Sequence, residues 1–341
     1  MNILIATGIY PPEIGGPAEY AYNLEQTFKD LGYTVHVKRF TSVERKLPTG
    51  FRHIYYAFKT AYRYMFANHT LVLDTFSVAL PIYLLSLVTG KTYTIRTGGD
   101  FLWESYVERT EKKVLFTEFY KTETQNFTKK EKFIYWITKK IVHRAETIVF
   151  STTWQRDIWM SAYNLKLEKT KIIENYYNVR KNTDSSPTYT PAQKIFVTSS
   201  RELVWKNKDT VLKALERLQA EFPDEHIVID NKTYPHQKFI EVISHAYAVV
   251  LLSLGDISPN MILDSIRGGK PFVLTQENGI TERVKDLGLF ANPLDEGDIY
   301  EKLKMMLNPN TYGTLEANVR NFSYVHTWEQ ICGEYVRLWE R

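Results

Sequence analysis

One cysteine, Cys332, stands in 341 residues, so no disulfide can close within the chain and no cysteine cluster can hold a metal. Such a chain suits a reducing compartment. Glycine (16) and proline (13) are scarce, which excludes collagen-like and low-complexity chains. No apolar run reaches the roughly 20 residues that a spanning helix needs. The most apolar stretch, residues 76–88, contains Pro81 and reads as a buried element. The start, Met1-Asn2-Ile3-Leu4-Ile5-Ala6, has neither a basic region nor a long apolar one, so it reads as a strand and not a signal peptide, and a cytoplasmic location is expected. The four Asn-x-Ser/Thr sequons, at Asn68, Asn126, Asn231 and Asn321, therefore read as chance. A dominant charge sign is missing too. The 43 Lys and Arg against 39 Asp and Glu leave +4, and without a recognisable binding module no nucleic-acid partner is expected.

What is present is alternation, over a length that suits about two domains. Short β-rich apolar runs at 2–6, 34–38, 70–74, 92–96 and 147–151 are separated by amphipathic stretches such as 18–31 and 81–87. A second series follows at 194–198, 226–230, 248–253, 271–275 and 289–291, with helices at 209–222, 235–245, 260–268 and 296–307. This is the pattern of parallel sheets covered by helices on both faces. The polar stretch 179–193, with two prolines, is the natural linker, and Tyr324, Trp328, Ile331, Tyr335 and Trp339 give the end a helical spacing. Two such units predict ligand binding at the carboxyl ends of the strands, in the cleft between them.

Four segments carry chemistry. Thr7 to Pro17 holds Gly15-Gly16 ahead of a helix; paired glycines let backbone approach a ligand and a helix start favours an anion, although a plain tight turn uses the same residues. Arg201 and Lys206 share one strand-to-helix loop, where they either clamp a diphosphate or sit in solvent. In Gly255-Asp256-Ile257-Ser258-Pro259-Asn260-Met261, Ser258 and Pro259 make a good N-cap and first helical residue, so a helix should begin there. Asp256 precedes that helix and Asp264 lies within it: two carboxylates flanking one ligand, unless Asp256 only caps and Asp264 faces water. In Arg96-Thr97-Gly98-Gly99-Asp100-Phe101-Leu102-Trp103-Glu104, Asp100 could orient or deprotonate an acceptor hydroxyl and Trp103 could stack on a sugar, with Thr97 and Glu104 beside them; the plainer reading is a Gly-Gly turn with Asp100 bonded to backbone amides.

Together these segments resemble the family 4 retaining glycosyltransferases of the GT-B fold. The family's Glu-x7-Glu has its counterpart in Asp256 and Asp264, followed by Gly269-Lys270-Pro271-Phe272-Val273. Tyr10-Pro11-Pro12 with Gly15-Gly16, Arg201 with Lys206, Ile173-Glu174-Asn175, and Glu277-Asn278-Gly279-Ile280-Thr281-Glu282 follow in the family's order over nearly the whole chain. The resemblance implies an α/β fold of two Rossmann-like doubly wound domains with an interdomain cleft: an acceptor-side domain (1–178), a linker (179–193), a donor-binding domain (194–322) and a C-terminal helix (323–341) crossing back to the first domain. It implies transfer, with retention, of a hexose-type sugar from a nucleoside diphosphate to a hydroxyl of a glycan or lipid-linked acceptor. Gly15 and Gly16 would approach the donor phosphate and sugar, and Arg201 and Lys206 would hold the diphosphate. Ile257, Ser258, Asn260 and Met261 would contact phosphate and sugar, Asp256 the sugar hydroxyls and Asp264 the ribose. No metal or other cofactor is implied, and the eight histidines form no i, i+4 pair. Retention without an obvious nucleophile implies front-side attack.

Three departures stand out. Both acids are Asp where Glu is usual, Ile257-Ser258-Pro259 replaces Gly-Phe-Gly, and residues 226–253 lack a turn and a strand. They keep open a catalytically silent, glycosyltransferase-like partner protein; a GT-B epimerase or phosphorylase is a further rival without its own motif. On the acceptor side, Val43–His69 (+4) and Tyr106–Arg144 (+5) interleave basic and aromatic residues, which suits an anionic membrane or a phosphorylated acceptor as well as ordinary amphipathic helices. The mild total hides a split: +7 over residues 1–178 and −3 over 179–341.

Overall fold

Near-continuous apolar runs make strands that are covered on both faces. The first, β1 (Asn2–Thr7), has Ile3, Leu4, Ile5 and Ala6 fully buried. The computed structural model describes residues 1–13, 15–179 and 193–340, so the expected 179–193 linker falls almost wholly outside the described residues. Six strands form the first sheet: β1, β2 (Thr34–Arg39), β3 (His69–Val72), β4 (Thr94–Thr97), β5 (Thr147–Phe150) and β6 (Thr170–Ile172). They lie in the order β2-β1-β3-β4-β5-β6, all parallel, with Leu4 opposite both His36 and Thr70. The sequence reading missed β6, which is only three residues long and lies at an edge, too short to show a period.

After β7 (Tyr177–Val179), the second sheet takes β8 (Lys194–Thr198), β9 (Ile227–Asp230), β10 (Ala248–Leu251), β11 (Phe272–Thr275) and β12 (Gly288–Ala291). Its order is β12-β11-β10-β8-β9, again parallel throughout. Each sheet therefore reverses direction once, at β1/β3 and at β8/β10, and outside the carboxyl ends at such a reversal a doubly wound sheet binds its ligands. The last strand, β13 (Tyr324–His326), pairs with β7.

Two units result. The first contains residues 1–102, 124–176 and 326–341, and the second contains 103–123 and 177–325. This division differs from the boundaries read from the sequence, because residues 103–123 pack with the second unit. The amide of Phe116 donates to the Leu254 carbonyl (3.1 Å), and the rings of Trp103 and Trp205 lie 5.8 Å apart. The C-terminal helix belongs to the first unit. It begins at Trp328 instead of 323, since Thr327 and Gln330 form a reciprocal cap there. Trp328 stacks flat on Tyr176, Trp339 stacks on His69 and donates to Thr94 Oγ1 (3.0 Å), and Ile331, Cys332 and Tyr335 close over Ile5, Leu24 and Phe28. Cys332 is thus a core residue, its thiol pushed up to about 12 by burial.

Candidate active site

In the second unit, the loops leaving β8 and β10 meet at the sheet's reversal. The amide of Leu254 donates to the Trp205 carbonyl (2.8 Å), tying one loop to the other. Asn207, buried and in the left-handed conformation at φ 53°, adds a second tie: its amide nitrogen donates to the carbonyls of Leu252 (3.2 Å) and Pro293 (2.7 Å). Between these ties Lys206 and Asp256 form an ion pair at 2.9 Å, with only 13% and 14% of their side chains exposed. The ammonium also lies 4.2 Å from the centre of the Trp205 ring. Asp256 is fixed from below, its amide donating to the Glu277 carbonyl (2.9 Å) and its carbonyl accepting from Gly279 (3.1 Å). Arg201 is exposed and has no carboxylate partner among the described residues.

The next helix is Asn260–Arg267, with Pro259 at its cap, so Ser258 does not cap it as expected. Pro259 is extended (ψ 99°), and the Ser258 hydroxyl lies 3.3 Å from that of Tyr177 instead. The first helical bonds run from Ile262 and Leu263 to the Pro259 carbonyl, which leaves the amides of Asn260 and Met261 outside the ladder beside Ile257. Asp264 does not face solvent. It is buried on the helix and accepts a 2.7 Å bond from Arg267.

In the first unit, Gly15 caps the helix Gly16–Asp30 at φ 145°, a backbone conformation that needs glycine, and a Cβ there would stand 3.9 Å from Pro17 Cδ. Pro17 lacks an N–H, so Gly16 is the donor this helix start offers. The loop at residues 96–104 is more closed than its sequence suggests. The Thr97 hydroxyl donates to the Gly99 carbonyl (2.8 Å). Asp100 is buried at the start of the helix Phe101–Thr110, against a cavity of about 10 Å³, the space of roughly one water. It is not presented to an acceptor hydroxyl. Trp103 is 3% exposed, donates to the Val114 carbonyl (3.0 Å) and is walled in by Phe116 and Trp205, so it offers no face to a sugar. Glu104 is half-buried on the same helix.

No protein-family model and no curated protein sequence matches the chain. Solved structures do. HepE from Anabaena in complex with UDP-glucose superposes with a TM-score of 0.66 at 12% identity, over 99% of this chain and 100% of that one. Sucrose-phosphate synthase from Thermosynechococcus elongatus gives 0.68 at 12% identity over 99% and 98%. WaaG, a glycosyltransferase involved in lipopolysaccharide biosynthesis, gives 0.65 at 10% identity over 98% and 99%. The fold is GT-B.

On this GT-B frame the second unit gathers Arg201, Lys206, Asp256, Ile257, Ser258, Asn260, Met261 and Asp264 around the two loops and the helix start. Sequence reasoning missed Trp205 and Asn207, which position Lys206; an asparagine just before a helix was the available signal. In the first unit it named Arg96 only as the start of a segment. That side chain is 6% exposed, stacked 3.7 Å from the Tyr20 ring centre and bonded to Asn175, with a buried Nε that has no hydrogen-bond partner among the described residues. Glu277 was noted only as part of a motif. Its carboxylate accepts from the Thr117 hydroxyl (2.9 and 3.0 Å), and burial pushes its carboxyl above the usual range despite that bond. An acid raised by folding contributes fully below its ordinary pKa, and the contribution is lost as pH rises through the raised value. Glu277→Gln should therefore match the parent at low pH and gain on it as pH rises. Thermal melts between about pH 4 and 8 check this, and a pH-independent difference refutes it.

Proposed function

We propose that this chain is a retaining glycosyltransferase that moves a hexose-type sugar from a nucleoside diphosphate to a hydroxyl of a glycan or lipid-linked acceptor. The observation that carries the reading is an exposed Arg201, without a carboxylate partner among the described residues, on the same loop as a fixed Lys206 at the reversal of the second GT-B sheet. In this reading the two cations neutralise the departing diphosphate, helped by the amides of Asn260 and Met261 at a helix start. That assigns the charge work to protein groups, so transfer should persist in EDTA. Asp256, turned by Lys206 toward one side, accepts from sugar hydroxyls; Asp264 serves the ribose from beside Arg267.

A double displacement would need Asp256 as a free nucleophile, and its bond to Lys206 makes it a poor one. Front-side attack is the better fit: the acceptor oxygen bonds to the anomeric carbon as the bond to phosphate breaks, and the departing phosphate takes the acceptor proton. With Asp100 withdrawn into the first unit, this needs no protein base.

HepE was solved with UDP-glucose, which makes it the first donor to try. Nucleoside diphosphate release from UDP-, GDP- and dTDP-sugars should be seen with one donor class. Arg201→Ala should slow it by about tenfold to a hundredfold, the worth of one charge-assisted contact. Absence of both release and binding with every donor would sink the reading in favour of a silent partner protein.

A further inference from the structure

The helix Thr49–Phe66 of the first unit turns apolar residues to water. Its inner arc of His53, Tyr56, Thr60 and Tyr64 is buried, with the Tyr56 hydroxyl donating to the Lys38 carbonyl (2.7 Å) and Tyr64 to that of Lys91 (3.0 Å). At about 100° per residue, the opposite arc holds Phe51, Ile54, Phe58, Tyr62, Met65 and Phe66. All are exposed, Phe58 by 79%. A surface helix ordinarily puts charge on that arc, yet residues 49–66 contain no acid at all.

The patch continues over two neighbours in the same unit. Helix Ala79–Thr89 packs on the first and exposes Leu84, Leu87 and Val88, the last by 86%. This corrects the reading of residues 76–88 as a buried element: Val78, Ala79 and Ile82 are buried, and Leu84, Leu87 and Val88 are not. Helix Lys129–Arg144 packs on that one in turn and exposes Phe133 and Trp136 among Lys129, Lys130, Lys132 and Lys140. None of these lysines has an acidic partner among the described residues, and Glu131, the helix's one acid, is buried in its capping box. By contrast, Lys112 pairs with Glu123 in the second unit, and the aromatics Phe116 and Phe119 there are core.

We propose that this three-helix face docks on an anionic bilayer surface, with Thr49–Phe66 lying in the interfacial plane. Exposed apolar area of this extent marks an interaction surface. The charge identifies the occupant, because the free lysines complement anionic headgroups, whereas in a two-fold pair of chains they would meet one another and repel. Aromatic rings suit the headgroup level. No helix among the described residues is long and apolar enough to cross a membrane, so the contact is in-plane. It does not depend on the transferase reading.

The test is sedimentation of the full chain with phosphatidylglycerol-containing vesicles and with pure phosphatidylcholine vesicles. The parent chain should bind the anionic vesicles, and less so in high salt. Phe51→Ser/Phe58→Ser/Val88→Ser should bind at least about tenfold more weakly with an unchanged melting curve, since all three side chains are more than half exposed. Neutralising Lys129, Lys130, Lys132 and Lys140 to Gln should cost about fivefold per lysine on anionic vesicles alone. Absence of vesicle binding by the parent, or equal binding by the variants, overturns the proposal. So does a dimer on gel filtration that Phe58→Ser converts to a monomer without any vesicle binding.

Discussion

Lys206→Met is expected to abolish most donor turnover and to loosen the second unit at the same time. The ammonium is held at 2.9 Å by Asp256 and lies over Trp205, so its loss strands a carboxylate whose own backbone is pinned to Glu277 and Gly279. Stranding one member of a fully buried pair costs about 3–5 kcal/mol; about 1–3 kcal/mol is expected here because both side chains keep some contact with water. In the proposed function, where this cation neutralises the departing diphosphate, its removal should add a loss of about a hundredfold or more in turnover. The two effects separate in the double variant Asp256→Asn/Lys206→Met, which no longer buries an unpaired charge. Chemical denaturation should find its stability largely restored while release of nucleoside diphosphate stays low. Recovery of both would show that Lys206 only holds the loop.

Gly255→Ala should be nearly as damaging for a steric reason. A Cβ at this position would stand 2.7 Å from Phe116 Cβ and 3.0 Å from Trp103 Cη2. Phe116 cannot swing aside, because the contact is at its Cβ and its amide is bonded to Leu254. Overpacking of this kind costs about 1–3 kcal/mol, which for a unit of this size lowers Tm by about 3–10 °C. Asp256 is the next residue, so donor turnover should fall with stability. Gly313→Ala is the matched control: it lies at an exposed position of the helix Pro309–Asn321, where a Cβ meets no other group within 4 Å among the described residues, and should gain about 0.5–1 kcal/mol with turnover unchanged. Calorimetry of the pair decides the matter, and a Gly255→Ala melt equal to the parent's would refute the packing described.

Much of the candidate site was legible because its parts are local. The glycines before the first helix, Arg201 five residues from Lys206, and Asp256 eight residues from Asp264 are spacings along one loop or helix. The aromatic residues were not legible in this way. Phe58 and Tyr56 are two residues apart in similar company, yet one faces water and the other is fully buried. Both arcs of their helix are aromatic, so periodicity could not say which arc meets the sheet. Trp103 gave the same difficulty: a tryptophan beside a Gly-Gly turn suits a sugar platform, and only the arrival of Phe116 and Trp205 makes it core.

By itself the sequence determined two doubly wound parallel sheets, through apolar runs too continuous to have a solvent face, and the residue types of the loops that leave the second sheet at its reversal. Tertiary structure decided that residues 103–123 serve the second unit, that Lys206 and Asp256 neutralise one another across 50 residues, that Asp100 is withdrawn, and that one face of the first unit is left apolar. These are contacts between segments far apart in the chain. Their energy depends on which surfaces meet, and no local spacing encodes that.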